Sequence, residues 1–427
     1  MQPSGLLASI RARRKVIVLL VLTAVAYFSA INRDQTFLWV IPALLSATLI
    51  TGFAWPRWLV KKLKVSRSGP QRAAEGETIR FVIEVENEGL LPRFMVEIVD
   101  HLPFAGWSDP PASARQTLGM VATLAGRRRQ RFEVPVVCEK RGYYRLGPIG
   151  LASSFPLGLT EARATRDEER QSLTIYPDLF QVMSLPLQGA PSQIHRGGYL
   201  LPEGAGAAEF SGLREYRRGD HPRHIHWPTT ARLGELMVRE YEPLASACLY
   251  LLLDQAVESN IGLGRESTFE YAVRIAASLG RAAASQNIRS RLAGDGQLPL
   301  RSVGGSGDQH FQGILDALAV VACDGVTPYE RLLSEVAPFC IRGETMVIFL
   351  SENALRWPHT LAALAALRVR KVHLFAVIFD QASFVPDAHP ATMDYPDPTA
   401  VVAELLELGA HTVIVRRGDD LVRLFNP

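Results

Sequence analysis

Two apolar stretches near the N-terminus constrain this chain more than any other feature. Residues 16–31 contain no charged side chain, and neither do residues 37–55. A helix needs about 20 apolar residues to cross roughly 30 Å of hydrocarbon. The second stretch has that length, and the first reaches it with its flanking residues. Because a short polar turn at residues 32–36 separates them, the pattern predicts a transmembrane hairpin.

Basic residues flank the hairpin on both sides and predict its orientation. Arg11, Arg13, Arg14 and Lys15 precede the first stretch, and Arg57, Lys61, Lys62, Lys64 and Arg67 follow the second. Since positive residues stay on the cytoplasmic side, both termini are predicted to be cytoplasmic.

Two alternatives stay open at this point. The first stretch also fits a cleaved signal peptide, with Ala24-Val25-Ala26 as its small-residue cleavage site. The second stretch and its basic flank would still hold the body on the cytoplasmic side. Alternatively, both stretches are buried core helices, although two consecutive charge-free runs disfavour this.

The composition indicates which classes of binding partner and which cellular compartment fit the chain. The 427 residues carry a net charge of +3, so no overall nucleic-acid signature is present. The four cysteines (Cys138, Cys248, Cys323, Cys340) form no C-x-x-C pair. Such scattered cysteines are typical of reduced thiols in the cytosol.

The hairpin comprises residues 1–63. The sequence pattern divides the rest of the chain into three parts. Residues 64–180 contain short alternating runs punctuated by Pro and Gly, which predict a β-sandwich-like domain. Residues 181–245 are rich in turns and charges. Residues 246–427 alternate apolar strands with helices, so they predict a doubly wound α/β domain with a parallel sheet.

The densest segment, residues 204–240, mixes both signs of charge with aromatic residues. At this density the charges must pair locally, because an isolated charge against a protein surface is costly. We therefore interpret it as a charged, hydrogen-bonded segment before the α/β domain, and as the predicted interaction site. Its candidate residues are Arg214, Glu215, Tyr216, Gly219, Asp220, Arg223, His226, Trp227, Arg232, Arg239 and Glu240.

These residues, at this spacing, resemble the signature of the bacterial domain of unknown function 58 family. The run Arg141-Gly142-Tyr143-Tyr144-Arg145-Leu146-Gly147-Pro148 and Tyr176-Pro177 resemble its upstream hallmark. The resemblance implies a von Willebrand factor type A-like C-terminal domain in a protein of the bacterial inner membrane. It also implies a MoxR-type AAA+ ATPase as partner, often accompanied by a transglutaminase-like membrane protein.

The von Willebrand-like expectation also implies a place for a metal ion. In such domains an Asp-x-Ser-x-Ser loop after the first strand holds a divalent cation such as Mg²⁺, which prefers oxygen ligands. Here Asp254 matches, whereas Ala256 and Glu258 replace the two serines. Glu352, after a later apolar strand, lies where a further acidic ligand is expected. The sequence therefore suggests a degenerate metal site formed by Asp254, Glu258 and Glu352.

Three functions remain to be compared. The leading hypothesis is a non-enzymatic, membrane-anchored adaptor, since the chain lacks a phosphate-binding loop, an H-E-x-x-H motif and a G-x-S-x-G motif. The first alternative is a metal-dependent protein-binding module that uses Asp254. The second is a hydrolase or transferase built from Asp220, Arg223 and His226.

Overall fold

The structure is a computed structural model. It describes residues 3–33, 36–105, 116–165, 171–187, 208–216, 225–243, 248–385 and 395–426. For residues 3–13, 116, 208–212, 214 and 239–243 it describes the backbone alone. The chain forms two compact units, Met1–Asp178 and Leu179–Pro427.

The first unit begins with two long apolar helices. Helix α1 is Pro3–Arg33, and helix α2 is Val40–Leu59 after a 3-10 turn at Thr36–Trp39. The hydroxyl groups of Tyr27 and Ser46 lie 3.1 Å apart in a hydrogen bond between the two helices. Both helices are long and apolar enough to cross a membrane, over residues 14–33 and 36–59. Few of their residues are buried, which does not fit the alternative of two core helices.

Ten short strands follow in the described residues of the first unit. They are β1 Leu63–Ser68, β2 Arg72–Ala74, β3 Thr78–Asn87, β4 Arg93–Asp100, β5 Gln116–Leu124, β6 Arg129–Val137, β7 Gly142–Leu146, β8 Gly150–Ser153, β9 Ala162–Thr165 and β10 Gln171–Tyr176. They form three sheets, ordered β1-β3-β6, β2-β10-β7 and β5-β4-β8-β9. All pairs are antiparallel except β2 with β10.

Two apolar cores hold these sheets together. Ile83 and Val85 of β3 pack with Val96 and Ile98 of β4 in one core. Phe81 of β3 belongs to the other core, which includes strands β7 and β10. Phe81, Ile83 and Val85 are two residues apart, so their side chains point to the same face of β3. One end of this face therefore lies in one core and the other end in the other core. These sheets agree with the β texture of the sequence.

One predicted strand is two strands in the structure. The sequence pattern indicates a single strand over residues 142–151, but β7 pairs with β10 and β8 pairs with β4 and β9. Gly147-Pro148 separates them, because proline has no backbone N–H for a sheet ladder. The chain therefore changes sheets at this dipeptide.

The second unit contains a small hairpin and an α/β region. Strand β11 (Ala208–Glu215) pairs antiparallel with β12 (Met237–Pro243), and helix α3 (Trp227–Leu233) lies between them in sequence. The α/β strands are β13 Cys248–Leu253, β14 Arg289–Gly294, β15 Leu300–Arg301, β16 Thr345–Leu350, β17 His373–Phe379 and β18 His411–Val415. The helices are α4 Thr268–Ser285, α5 Gly307–Val320, α6 Tyr329–Val336, α7 Trp357–Val369, α8 Gln381–Phe384, α9 Pro398–Glu407 and α10 Leu421–Phe425.

The α/β sheet has the order β15-β14-β13-β16-β17-β18. All its neighbours are parallel except β14 with β15. Tyr250 and Leu252 face a core that includes α6, α7 and α9. Leu251, which points the other way, lies beside Gly280 of α4. Helices thus cover both faces, and the predicted α/β region with a parallel sheet is confirmed.

Candidate functional site

The sheet order places a crevice at the end of strand β13. In the sheet, β14 lies on one side of β13 and β16 lies on the other side. The strand order therefore reverses between β13 and β16. In open α/β sheets, ligands bind beside such a reversal, outside the carboxyl ends of the strands. Asp254 follows β13, and Ser351 and Glu352 follow β16. This edge, with these three residues, is the candidate site.

Asp254 is buried, and only one of its two carboxylate oxygens has a hydrogen-bond partner among the described residues. Its Oδ1 accepts a hydrogen bond of 2.9 Å from the Ala256 backbone N–H. Its Oδ2 is buried and has no hydrogen-bond partner among the described residues. Burial raises the pKa of Asp254 to about 6, while the Ser259 hydroxyl and the Ala256 N–H act in the opposite direction. Because an unpaired buried acceptor costs about 1–3 kcal/mol, Oδ2 favours a proton, a donor or a cation.

Hydroxyl and amide groups surround Asp254 in a small cavity, which has room for about one water molecule. Its polar lining comes from Ser259, Asn260, Thr268 and Ser351. The Ser351 hydroxyl donates to the Ser259 carbonyl, and the Thr268 hydroxyl accepts from the Ile261 N–H at 3.0 Å. The loop after β13 is therefore folded back onto the ends of β16 and α4.

Glu352 lies beside this cavity and has its own buried environment. Its Oε2 accepts a hydrogen bond from the Thr360 hydroxyl of α7. Its Oε1 is buried without a partner among the described residues. Burial raises the pKa of Glu352 to about 7, and the negative charge of Asp254 adds to the increase. Two buried acids with raised pKa values thus face one edge of the sheet, which is typical of functional sites and also of structural clusters.

Glu258, the third predicted metal ligand, is not with the other two. Its side chain is 63% exposed and forms an ion pair of 2.5 Å with Arg356. In the described parts of the chain, no group of three or more His, Cys, Asp or Glu residues is arranged to hold a metal ion. The oxygen-rich lining of the cavity instead comes from Ser259, Asn260 and Thr268, which the sequence comparison with an Asp-x-Ser-x-Ser loop did not indicate. The sequence feature that could have indicated this lining is the polar pair Ser259-Asn260, which begins five residues after Asp254.

Tyr329 joins the two strands that flank the site. Its hydroxyl donates to the Leu252 carbonyl at 2.7 Å and accepts from the Phe349 N–H at 3.3 Å. The side chain is 1% exposed. Tyr329 therefore fixes β13 and β16 next to each other at their carboxyl ends, where sequence reasoning did not anticipate it.

The charged segment forms the β11–β12 hairpin with α3 packed on it. The Tyr216 N–H donates to the Leu236 carbonyl at 2.9 Å, and the His226 N–H donates to the Met237 carbonyl at 2.8 Å. The ring Nδ1 of His226 lies 2.8 Å from the Thr229 hydroxyl. These bonds hold the first turn of α3 against β12, so His226 has a structural contact within this segment.

The other signature residues divide into three groups. Arg214, Arg239 and Glu240 lie in the paired strands, where only the backbone is described. Glu215, Tyr216, Trp227 and Arg232 are exposed. Gly219, Asp220 and Arg223 lie outside the described residues, and so does any convergence of Asp220 and Arg223 with His226.

Exposed apolar side chains are concentrated in this segment. Trp227 and Leu233 are each 62% exposed at the two ends of α3, and Leu236 is 43% exposed before β12. Single exposed apolar residues are ordinary on protein surfaces. Of the three, tryptophan is the residue type that is enriched among those that dominate binding energy at protein interfaces.

Part of the chain matches the model of a protein family. Residues 212–352 match the family model described as "Protein of unknown function DUF58". The "Uncharacterized protein YeaD" of Bacillus subtilis is 27% identical over 199 residues. This match covers 46% of this chain and 46% of the relative, so the chain spans about half the length of the curated relative.

Two solved structures show only weak likeness. The CARDB domain of a Pyrococcus furiosus protein in complex with di-metal ions matches 27% of this chain and 94% of that one, at 11% identity and a TM-score of 0.19. A GH20 exo β-N-acetylglucosaminidase from Vibrio harveyi matches 75% of this chain and 57% of that one, at 10% identity and the same TM-score. Neither likeness carries an argument about fold or function. The family match covers the signature hairpin from Gly212 through the site residue Glu352, about a third of the chain, and supports its similarity to the DUF58 family.

Proposed function

We propose that this protein is a membrane-anchored adaptor whose residues after the two candidate spans lie on the cytoplasmic side and dock another protein. The observation that carries the proposal is the position of the exposed Trp227 and Leu233 in the family segment of a chain with two membrane-length helices. Trp is enriched among residues that dominate binding energy at protein interfaces. The resemblance to the family makes a MoxR-type AAA+ ATPase the first candidate partner, with a transglutaminase-like membrane protein as a possible companion.

The anchor is supported by composition and exposure together. Phe28 is 69% exposed and Ile50 is 67% exposed, and both lie in candidate spans. Apolar side chains of this size are stable at such exposure when lipid surrounds them. The basic residues at the N-terminal end of the first candidate span and the C-terminal end of the second favour the cytoplasmic side for both ends. The body would then face cytoplasmic partners.

Affinity purification tests the adaptor function. The full-length chain, tagged and extracted from membranes in mild detergent, is purified with and without ATP, and the co-purifying proteins are identified by mass spectrometry. We expect an AAA+ ATPase to be recovered with the wild type, in an amount that depends on ATP. Trp227→Ala/Leu233→Ala should lower this recovery at least tenfold.

A matched control separates a specific surface from general stickiness. Leu298 is 73% exposed and Val303 is 86% exposed in the same unit, outside the signature segment. Leu298→Ala/Val303→Ala should retain the partner. Equal loss in both double variants, or recovery of no ATPase in either nucleotide state at low salt, would count against the adaptor function.

The second candidate is a metal-dependent protein-binding module with a von Willebrand factor A-like fold. Two observations support it: Oδ2 of Asp254 has no hydrogen-bond partner among the described residues, and Ser259, Thr268 and Ser351 line the adjacent cavity. A hard cation such as Mg²⁺ prefers such oxygen ligands. Ala256 supplies no side-chain oxygen, and Glu258 is engaged by Arg356. A cation here would therefore depend on one carboxylate, that of Asp254, and on neighbouring Ser and Thr side chains.

Thermal unfolding in the presence of Mg²⁺ tests this candidate. Binding to the folded state alone raises the unfolding midpoint as Mg²⁺ is added. We expect the increase in the wild type and in Asp308→Asn, an exposed acid of α5, and not in Asp254→Asn. An unchanged midpoint for all three proteins would remove the metal-dependent function.

A further inference from the structure

A groove in the first unit runs along helix α1 at the start of its apolar span. Its volume is about 500 Å³, within the range of about 300–1,000 Å³ that is usual for ligand sites. Its lining consists of two cations and four aliphatic side chains: Arg14, Lys15, Val18, Leu19, Leu22 and Leu159. Among the described residues, no carboxylate lines the groove. The described lining is therefore amphipathic, with positive charge and apolar surface.

The two kinds of side chain are separated along the helix axis. Arg14, Val18 and Leu22 are four residues apart, so they lie on one helix face. At 1.5 Å per residue, the groove extends about 12 Å from Arg14 to Leu22. Both cations lie at the N-terminal end of the first candidate span, and the aliphatic side chains continue toward its middle.

The opposite wall comes from the loop between strands β8 and β9. Leu159 packs against Gly52 of α2, where a Cβ atom would approach the Leu159 side chain to 2.6 Å. The next residue, Thr160, donates a hydrogen bond of 2.7 Å to the Gly52 carbonyl. Phe155 and Leu157 of the same loop are 37% and 46% exposed. The loop is thus fixed to α2 and presents apolar side chains at the level of the groove.

Neither cation of the groove is engaged by an acidic side chain in the part of the chain that the structure describes. Arg14 and Lys15 are both exposed. At the edge of a membrane, juxtamembrane cations attract anionic lipid headgroups. A ligand that matches the groove has negative charge at one end and a hydrocarbon chain at the other.

We infer that this groove binds one anionic glycerophospholipid, with the phosphate at Arg14 and Lys15 and an acyl chain along Val18, Leu19 and Leu22 against Leu159. The inference rests on the proposed membrane anchoring. The bound lipid would fill the space between α1 and the β8–β9 loop.

Native mass spectrometry of the full-length chain in detergent tests the inference. The probes are phosphatidylglycerol and phosphatidylcholine with identical acyl chains, added in equal amounts. The wild type should retain phosphatidylglycerol in preference. Arg14→Gln/Lys15→Gln should lower the ratio of retained phosphatidylglycerol to phosphatidylcholine by roughly 25-fold, since each interfacial cation contributes about fivefold.

Two further variants identify the groove as the place of binding. Val18→Trp keeps both cations and fills the apolar part, so it should lower retention of phosphatidylglycerol as well. Arg127→Gln/Arg128→Gln removes two exposed cations from the loop before β6 and should leave the lipid ratio unchanged. A ratio that falls only in the latter variant would assign anionic lipid to that loop and overturn the inference. A changed oligomeric state of Val18→Trp with an unchanged lipid ratio would assign the groove to contacts between copies of the chain.

Membrane extraction distinguishes the failure of this inference from failure of the anchor. Wild type that resists alkaline extraction but shows no preference for phosphatidylglycerol refutes the lipid groove alone. Wild type that is released by alkaline extraction refutes the anchor, and the groove with it.

Discussion

The Thr160 hydroxyl donates a hydrogen bond of 2.7 Å to the carbonyl of Gly52 in helix α2. In a regular α-helix that carbonyl would accept from the N–H four residues later, but this position is Pro56, which has no N–H. A side chain 108 residues away in sequence therefore occupies an acceptor that the helix leaves open. The bond connects an apolar helix directly to the strands of the first unit.

Removing this hydroxyl should weaken the connection. Thr160→Val keeps the shape of the side chain but leaves the buried Gly52 carbonyl without this donor. We expect the free energy of unfolding of the first unit to fall by about 1–2 kcal/mol. Thermal unfolding of the full chain in detergent measures the change. Thr165→Val, at an exposed position of β9, should have little effect, and equal midpoints for the two variants would contradict the assigned role.

The buried ion pair of the first unit should be far more sensitive than an exposed one. Arg67 and Asp100 form an ion pair whose side chains are 2% and 1% exposed. Asp100→Asn leaves the Arg67 cation buried without its counter-charge, so we expect a loss of about 3–5 kcal/mol. Glu161→Gln, which breaks the exposed pair with Arg163, should cost less than about 1 kcal/mol. Similar shifts of the unfolding midpoint in both variants would refute this distinction.

Glu352 should make the stability of the second unit depend on pH. Its pKa is raised from 4.5 to about 7 in the folded chain, so its ionised form is less stable there than in the unfolded chain. Below about pH 4.5 the acid is protonated in both states and burial carries no electrostatic cost. The cost grows as the pH rises and is complete above about pH 7.

Glu352→Gln should therefore stabilise the protein at pH 8, by about 3 kcal/mol at most, and have little effect at pH 4. Unfolding midpoints of wild type and variant across this pH range measure the difference. Glu407→Gln, at an exposed position of α9, is the control and should show no such dependence. A stabilisation of Glu352→Gln that is the same at pH 4 and pH 8 would exclude ionisation as its cause.

Tyr329 should stabilise the junction of the two strands at the candidate site. Tyr329→Phe leaves the Leu252 carbonyl and the Phe349 N–H without their side-chain partner in a buried position. We expect a loss of about 2 kcal/mol in the free energy of unfolding. Tyr143→Phe, at a tyrosine that is 50% exposed, should be nearly neutral. If Tyr329→Phe were also neutral in the same unfolding measurement, the bridge would be of no energetic importance.

The apolar strands were predictable because their composition leaves few alternatives. The run Cys248–Leu253 is fully apolar, and a strand covered on both faces has this composition. Asp254 and Glu352 could be assigned to one edge, since parallel strands end on the same side of a sheet. The β11–β12 hairpin was not predicted, because its charged sequence lacks the apolar alternation of a half-buried strand.

The remaining details depend on contacts that are distant in sequence. Arg356 lies 98 residues after Glu258, and their ion pair takes Glu258 away from the predicted metal site. The hydroxyl groups of Ser259 and Thr268 reach the cavity because the loop after β13 folds back onto α4. No local pattern encodes such encounters, so the donor set of the site was accessible only from the fold.

We propose that the two apolar helices span a membrane, with the strands of the first unit and the second unit on its cytoplasmic side. Protease treatment of spheroplasts that express the chain with a C-terminal tag tests it most directly, with one periplasmic and one cytoplasmic protein as internal controls. We expect the tagged body to stay intact while the periplasmic control is digested, and to be degraded once the membrane is lysed. Digestion of the tagged body in intact spheroplasts would contradict the account.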